Sequence, residues 1–492
     1  MLSIPGAGTS SAGLFLSGLC LITFPMATQA LLPNSGFLPR IADARLDDAL
    51  ARTAQGIIRH NVDPYADGLV HRPNSEEPGD AVSEAQAYGM IVTLYADDQA
   101  NFDRIWDAAE RHMWNSSARL YDWRWGAKGG IIGSGMATDA DQDIALMLLF
   151  ADSLANKGLW KKHTGPKGAT YKTRALEIIG TLWAKAVKEG KYLAPGADWG
   201  GREFVNPGYF SPASYRIFAK ADKGHDWNGV VEQCYRTLAS SPGAAKGLLP
   251  DWMTPDGGYF NGSLGYNAYR EGRSMYKDAI RVHWRLAMDW LWFKEARAKK
   301  WLDAAAAFVP APAKANFYTL DGNFIPAADT FSLGDGQKRS RQEYSQLTVG
   351  MWACAAFCSQ GPELSRPWAD SLLAFLPPGA DSWGRPADAQ ISGRTGSTPN
   401  EGYFEQFLAW FGAAILAGRF TNVWDEVQRP LASRPGRGVP GTSPWTADPG
   451  AFLPGYGADG RRIDLTPPSS GSGPVRPAAP FFLPPDPGAA PR

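Results

Sequence analysis

Three acidic stretches of the chain each place a carboxylate beside an apolar segment with helical spacing. The first covers residues 83–90 (SEAQAYGM), where Ser83 is suited to an N-cap and an apolar run follows. Glu84 then lies in the first helical turn, where any acidic side chain is favoured by the helix dipole. A surface position would explain it equally well, so Glu84 becomes a chemical candidate only if other stretches supply partners.

The second stretch, residues 137–145 (ATDADQDIA), has an Asp-x-Asp-x-Asp pattern at the start of an apolar helix. A calcium loop is excluded because Ile144 stands where that loop needs glycine. Thr138 and Asp141 predict a capping-box start for the helix, which gives Asp141 a structural explanation. Asp139 is therefore the member of this stretch that we assign to chemistry.

The third stretch, residues 276–290, contains Asp278 followed by Arg281 and Arg285 on one predicted helix face. An Asp–Arg pair at this spacing is common on protein surfaces and contributes little to stability there. Beside a cleft, the same pair would keep the carboxylate of Asp278 ionised.

The elements that carry these stretches are predicted to be almost entirely helical, and strand-like alternation is scarce. Many helices in one continuous region indicate an all-α toroid of paired helices rather than a short four-helix bundle. Apolar spacing predicts helices near residues 41–60, 84–97, 99–113, 139–157, 170–189, 209–222, 226–240, 276–299, 341–358, 363–377 and 399–418.

Composition narrows the class of partner. The 49 basic and 49 acidic side chains cancel, so neither nucleic acid nor an acidic membrane surface is indicated as a partner. The six His show no metal-ligand spacing, and we expect no metal and no cofactor. The 19 Trp and 17 Tyr suit flat ligands such as sugar rings. The four Cys, at positions 20, 234, 354 and 358, do not form a disulfide framework.

The chain divides into three predicted parts. Residues 1–30 read as an export signal, with an apolar core at 14–24 and a small-residue cleavage pattern ending at Ala30, although no Lys or Arg precedes the core. Residues 31–428 are predicted to form the helical domain, and no segment is long enough to span a membrane. Residues 429–492 are rich in Pro and Gly and are expected to be disordered.

Taken together, the three stretches resemble the signature blocks of glycoside hydrolase family 8, the bacterial endoglucanases and their relatives. The matching residues are Ser83-Glu84-x-Gln86-x-Tyr88-Gly89-Met90, Ala137-Thr138-Asp139-Ala140-Asp141-x-x-Ile144-Ala145 and Asp278-Ala279-x-Arg281-x-x-Trp284-Arg285, with minor blocks at 206–212, 249–252 and 401–404. The resemblance covers roughly residues 40–420 in the order of the family's blocks. Ala85, Ala87 and Gly208 depart from it, since the family usually has glycine at the first two positions and often serine at the third.

The resemblance implies an (α/α)6 barrel with a substrate cleft at one end, which cuts β-1,4-linked polysaccharide with inversion. It implies that Glu84 is the general acid, Asp278 the general base and Asp139 the central aspartate that binds the sugar at the cleavage point. Tyr209 matches the tyrosine that helps to hold the attacking water. Arg281 belongs to the same motif and is expected among the substrate-binding residues.

Inverting hydrolysis sets physical conditions on these residues. The two carboxyl groups should lie roughly 6.5–9.5 Å apart, so that a water fits between base and sugar. The helix dipole lowers the pKa of Glu84, which is the wrong direction for an acid, so burial or the like charge of Asp139 must raise it. Asp278, one turn from Arg281, should stay ionised and accept the proton of the water.

Aromatic side chains in loops are the candidates for gripping a sugar chain. We expect stacking from a group that comprises Trp123, Trp125, Trp199, Trp252 and Tyr403.

Two other functions stay open from the sequence: the same mechanism on xylan or chitosan, and a non-catalytic polysaccharide-binding protein. Asp278 at the base position favours the glucanase branch. The expected partners are β-1,4-linked polysaccharide and, if the role is biosynthetic, the cellulose synthesis machinery. We expect a monomer.

Overall fold

The computed structural model describes residues 38–73, 75, 77–197, 200–260, 272–325, 331–332, 338–339, 344–384 and 403–428. The predicted export signal (1–30), the Pro/Gly-rich tail (429–492) and Trp199 lie outside the described residues.

Helices dominate the described part of the chain. They are α1 (Ala44–Ile57), α2 (Ser83–Tyr95), α3 (Gln99–His112), α4 (Thr138–Asn156), α5 (Tyr171–Lys185), α6 (Pro212–Ala221), α7 (Trp227–Ser240), α8 (Val282–Phe293), α9 (Ala296–Phe308), α10 (Gln346–Gln360), α11 (Arg366–Leu373), α12 (Tyr403–Leu416) and α13 (Val423–Glu426). A π-helical turn, Ile58–Val62, continues α1, and 3-10 turns cover Pro207–Tyr209, Ala244–Lys246, Ala279–Arg281 and Pro312–Lys314.

The strands are short and lie in the loops between helices. Their bounds are β1 (His71–Arg72), β2 (Asp80–Val82), β3 (Trp114–Asn115), β4 (Leu120–Tyr121), β5 (Arg124–Trp125), β6 (Ile131–Gly133), β7 (Val187–Lys188), β8 (Tyr192–Leu193), β9 (Ser274–Met275), β10 (Tyr318–Thr319), β11 (Phe331–Ser332) and β12 (Lys338–Arg339). The largest sheet is antiparallel, with strand order β1-β2-β5-β6, and the others are two-stranded.

Alternate helices form a closed inner ring. Going round it, α2 packs on α4, α4 on α6, α6 on α8, α8 on α10, α10 on α12, and α12 returns to α2. The intervening helices pack outside their neighbours, as α3 does on α2 and α5 on α4. Inner helices such as α4 and α10 are buried on nearly every face, which is why their sequences are apolar all round. The closed ring confirms the predicted (α/α)6 toroid.

The backbones of α10 and α12 come close together in the ring. A Cβ built on Gly412 would lie 2.6 Å from the Cα of Gly350, so both helices use glycine where their backbones meet.

The inner helices all begin at one end of the ring, because each is reached through an outer helix that runs the opposite way. The acidic stretches stand at this end: Glu84 lies in the first turn of α2, Asp139 lies in the first turn of α4, and Asp278 precedes the turn that leads into α8. Strand β2 runs directly into α2, so the four-stranded sheet fixes the position where α2 starts.

Several local predictions were wrong. Ser83 is the first residue of α2 and provides no side-chain cap, and its N–H donates to the carbonyl of Trp123 at 3.0 Å. The capping box predicted at Thr138 is absent, because the Thr138 hydroxyl donates instead to the carbonyl of Ala194 at 2.7 Å. Asp141 likewise uses its carboxyl to accept the N–H of Tyr121 at 3.1 Å.

The helix predicted over residues 276–299 is three elements. A 3-10 turn precedes α8, and Lys294 then adopts the left-handed conformation (φ 56°) that ends α8. The side chain of Glu295 caps the N-terminus of α9 by accepting the N–H of Arg297.

No helix among the described residues combines the length and the apolar character needed to cross a bilayer. Cys234, Cys354 and Cys358 are free thiols buried in the helical core.

Candidate active site

One buried guanidinium joins the three acidic stretches. Arg281 lies in the turn before α8 and is fully buried. Its Nη1 lies 2.5 Å from Glu84 Oε2 and 2.8 Å from Asp139 Oδ2, and its Nη2 lies 2.6 Å from Asp278 Oδ1. Nη1 also lies 3.1 Å from the hydroxyl of Tyr88, one turn after Glu84 on α2. The predicted substrate-binding residue Arg281 therefore contacts carboxylates from three parts of the ring.

Glu84 is held in an environment that favours its protonated form. Burial raises the pKa of Glu84 to about 8, against the opposing charge of Arg281 and with a further upward contribution from Asp139. The second carboxyl oxygen, Oε1, accepts a short hydrogen bond from the hydroxyl of Tyr403, the first residue of α12. The side chain keeps 15% of its surface exposed, so a ligand can reach this carboxyl group.

Asp278 is more open, with 32% of its side chain exposed. Arg281 binds one carboxyl oxygen, and Asn206 Nδ2 donates to the other at 3.1 Å. The pKa of Asp278 is raised overall, because burial and the like charge of Asp139 outweigh the lowering effects of Arg281 and of the hydrogen bond from Asn206. The backbone is fixed by Asp251, whose Oδ1 accepts the N–H groups of Tyr276 and Ala279 at 3.0 and 2.9 Å.

Asp139 shares the guanidinium of Arg281 with these two carboxyl groups and is buried. Its Oδ2 is bound by Arg281, and its Oδ1 has no hydrogen-bond partner in the described part of the chain. A buried carboxylate oxygen without a donor costs free energy, which an incoming hydroxyl group can recover. Tyr209 stands beside the cluster, with its ring 5.0 Å from the guanidinium carbon of Arg281.

The balance of charge in this cluster favours one carboxyl group in its protonated form. Three carboxyl groups share one cation, and a buried excess of negative charge is expensive unless a carboxyl group is neutral. Glu84, with its pKa near 8, is the group that holds the proton at neutral pH. The site can therefore present a proton donor, Glu84, and an ionisable acceptor, Asp278, on the same guanidinium, and glycoside hydrolysis uses such a pair of carboxyl groups.

The chain is similar to known proteins over a large part of its length. The family model described as Glycosyl hydrolases family 8 matches residues 65–336, more than half of the chain. The chain belongs to glycosyl hydrolase family 8. Endoglucanase 2 of Ruminiclostridium josui is 37% identical over 258 residues, which cover 51% of this chain and 52% of that protein. Endoglucanase A of Acetivibrio thermocellus is 34% identical over 257 residues, 50% of each protein. The match thus spans about half the length of these curated relatives.

Solved structures support the fold of this family 8 chain. A β-1,3-1,4-glucanase from Paenibacillus sp. X4 superposes with a TM-score of 0.61 at 19% identity, over 80% of this chain and all of that one. Rex8A from Paenibacillus barcinonensis, solved with xylose, gives a TM-score of 0.57 at 19% identity, over 79% of this chain and 98% of that one.

The aromatic candidates of the family 8 chain occupy different surroundings. Trp123 is 38% exposed and lies flat over Gly133, where a Cβ would come within 2.5 Å of its ring. Trp125 is half-buried, with its ring 5.0 Å from that of His112. Trp252 is buried in an aromatic contact with Phe204, which leaves little of its ring for stacking on a sugar.

Sequence reasoning missed Asn206 and assigned Tyr403 a different contact from the one that the structure shows. Asn206 contacts Asp278, and the hydroxyl of Tyr403, predicted as a stacking surface, contacts Glu84. Both belong to blocks of the family resemblance, but the pattern of a block does not indicate which atoms its residues touch. Within the described residues, no group of three or more His, Cys, Asp or Glu side chains is arranged to hold a metal ion.

Proposed function

We propose that the protein is an inverting endo-β-1,4-glucanase that hydrolyses cellulose-like β-glucan. Glu84 would protonate the leaving oxygen, Asp278 would take a proton from the attacking water, and Asp139 would bind a hydroxyl group of the sugar at the cleavage point. The observation that carries this proposal is the convergence of the three carboxyl groups on Arg281, with the pKa of Glu84 raised to about 8.

The division of roles follows from the surroundings of each group. Burial outweighs the nearby cation at Glu84, so this group is protonated at neutral pH and can act as an acid. Asp278 is more exposed and receives hydrogen bonds on both oxygens, from Arg281 and from Asn206, which favour its ionised form. The names of the similar endoglucanases support β-glucan as the substrate.

The test is release of reducing sugar from carboxymethyl-cellulose, lichenan, xylan and chitosan, with the Glu84→Gln variant alongside. Glu363→Gln is the matched control, because its side chain is largely exposed on the surface. We expect activity on the glucans that disappears in Glu84→Gln and persists in Glu363→Gln. Nuclear magnetic resonance of the first products should show the α-anomer, and a β-anomer would refute inversion. Full activity of folded Glu84→Gln would refute the role of Glu84.

Xylan is the second candidate substrate. It is favoured by the similarity to the reducing-end xylose-releasing exo-oligoxylanase Rex8A, which is 25% identical over 234 residues. Release from xylan and not from the glucans would keep the proposed mechanism and change the polymer. A folded protein that releases sugar from none of the four polymers, yet binds one of them, would instead be a polysaccharide-binding protein.

We further propose that the protein is exported, on the strength of the apolar run at 14–24 and the small residues before Ala30. N-terminal sequencing of the protein recovered outside the cytoplasm should begin after Ala30. The glucan could be foreign polymer or cellulose that the same cell makes. A cellulose synthase gene next to this one would favour the biosynthetic role.

A further inference from the structure

We propose that Asn206 is a positioning residue, which orients the carboxyl group of Asp278 and keeps it in the form that accepts a proton. This inference rests on the proposed function, because it concerns the group that would act as general base. Asn206 itself lies beneath the cluster and is buried.

The amide of Asn206 has only one orientation that satisfies both of its contacts. Its Oδ1 accepts the N–H of Gly208 at 3.0 Å, two residues further along the chain, as in an Asx turn. The NH₂ end of the amide cannot accept a hydrogen bond from an N–H, so Nδ2 must point away from Gly208. Nδ2 then donates to Asp278 Oδ2 at 3.1 Å. The turn at residues 206–208 thus dictates which end of the amide faces Asp278.

The same turn is pressed against the backbone of Asp278. A Cβ built on Gly208 would lie 2.0 Å from the carbonyl oxygen of Asp278, so only glycine allows this approach. The turn therefore holds Asp278 at two points, its main chain through Gly208 and its carboxyl group through Asn206.

The other groups that act on Asp278 come from three neighbouring elements. Arg281, in the turn before α8, binds Oδ1 of Asp278. The negative charge of Asp139, in α4, acts on the carboxyl group of Asp278. Tyr209, in the 206–209 turn, interacts electrostatically with Asp278 through its hydroxyl group. The neighbouring Lys277 points to Glu405 Oε1, at 2.6 Å. Arg281 serves three carboxyl groups at once, whereas the contact from Asn206 belongs to Asp278. Removing that donor should therefore shift the titration of Asp278 more than that of Glu84.

The experiment uses Asn206→Ser and Asn206→Ala. Serine can still accept the N–H of Gly208 in an ST turn but is too short to reach Asp278, while alanine removes both contacts. We expect the acid limb of the pH profile of kcat/KM to move up by about one pH unit in both variants, because a donor to a charged group has been lost. KM should stay unchanged, because Asn206 is buried beneath the carboxyl group.

Asn61→Ala is the matched control. Asn61 is equally buried, and its Nδ2 donates to the carbonyl of His71 at 3.0 Å, so the control loses a comparable hydrogen bond away from Asp278. We expect it to be less stable than the parent and to keep the parent's acid limb. An acid limb in Asn206→Ser that coincides with that of the parent would overturn the proposal.

A second readout separates this inference from the proposed function. Infrared titration of the carboxyl groups, with Asp278→Asn as the reference that assigns the band, follows the pKa of Asp278 without turnover. If the parent hydrolyses no polymer, the proposed function fails, and the infrared titration of Asn206→Ser still decides the role of Asn206. An unchanged pKa of Asp278 in that variant would refute positioning, and an upward shift would support it.

Discussion

The hydroxyl of Tyr403 should set the upper end of the pH range of the proposed hydrolysis. It donates to Glu84 Oε1, and a hydrogen bond to the ionised form of a carboxyl group lowers its pKa. Tyr403→Phe removes this donor and keeps the ring in place against Phe404 and Phe407, whose centroids lie 6.1 and 6.3 Å away. The cation of Arg72, 5.7 Å from the ring, can also stay.

The size of the effect follows from the strength of the lost bond. A hydrogen bond to a charged group contributes about 1.5–3 kcal/mol, and 1.36 kcal/mol corresponds to one pKa unit, so the lower figure is an upward shift of about one unit. The pKa of Glu84, about 8 in the parent, should therefore rise to about 9 in Tyr403→Phe. A general acid works only while it is protonated, so the variant should stay active to higher pH than the parent.

The assay is the pH profile of kcat/KM for β-glucan hydrolysis, because this quantity reports the pKa values of the free enzyme. Tyr95→Phe serves as the matched control, since the buried hydroxyl of Tyr95 donates to the carbonyl of Thr421 at 2.7 Å, away from the site. The control should lose a little stability and keep the basic limb of the parent. A basic limb in Tyr403→Phe that is unchanged, or that moves down, would refute the reasoning about Glu84.

Three further predictions concern packing and buried charge. Gly208→Ala would force the carbonyl of Asp278 away from a Cβ at 2.0 Å, and we expect kcat to fall by about 10²-fold while circular dichroism stays that of the parent. Gly412→Ala would place a Cβ 2.6 Å from the Cα of Gly350, and urea denaturation should show a loss of about 1–3 kcal/mol. Asp141→Asn should flatten the dependence of unfolding free energy on pH. Burial raises the pKa of Asp141 to about 8, so this group lowers stability by about 1.4 kcal/mol per pH unit as pH rises from about 4 towards 8.

Each of these predictions has a comparison that would contradict it. Gly180 lies inside α5 with open space where a Cβ would stand, so Gly180→Ala should be neutral or stabilising. If Gly412→Ala behaves in the same way, the close contact between α10 and α12 does not limit packing. Full activity in Gly208→Ala would show that the turn can move aside. Parallel stability curves for Asp141→Asn and the parent from pH 5 to pH 8 would mean that Asp141 does not titrate in that range.

The helical architecture could be predicted from the sequence. The outer helices are amphipathic and show apolar residues at helical spacing, and the inner helices are buried all round and show long apolar segments. The break between α8 and α9 could not be predicted from the sequence. Lys294 ends α8 in a left-handed conformation without the glycine or proline that normally marks such a stop, so the apolar spacing runs on through it.

The candidate site was predictable in its residues and not in its contacts. Arg281 was expected beside Asp278 because the two are three residues apart, and they do pair. Its contacts with Glu84 and Asp139 join helices far apart in the chain, and no local pattern encodes them. The N-caps failed for a related reason. The N–H of Ser83 donates to the carbonyl of Trp123, in the loop before β5, so a tertiary contact satisfies this helix end without a local cap.

The sharing of Arg281 has a consequence for how variants of this protein are interpreted. Glu84, Asp139 and Asp278 compete for the hydrogens of one side chain, so removing any one of them changes what the cation offers to the other two. Effects of residues that act as one unit are not additive. A double variant at Glu84 and Asp278 should therefore lose much less activity than the product of the two single losses. The three carboxyl groups and their arginine are a single energetic unit, to be dissected with mutant cycles rather than one substitution at a time.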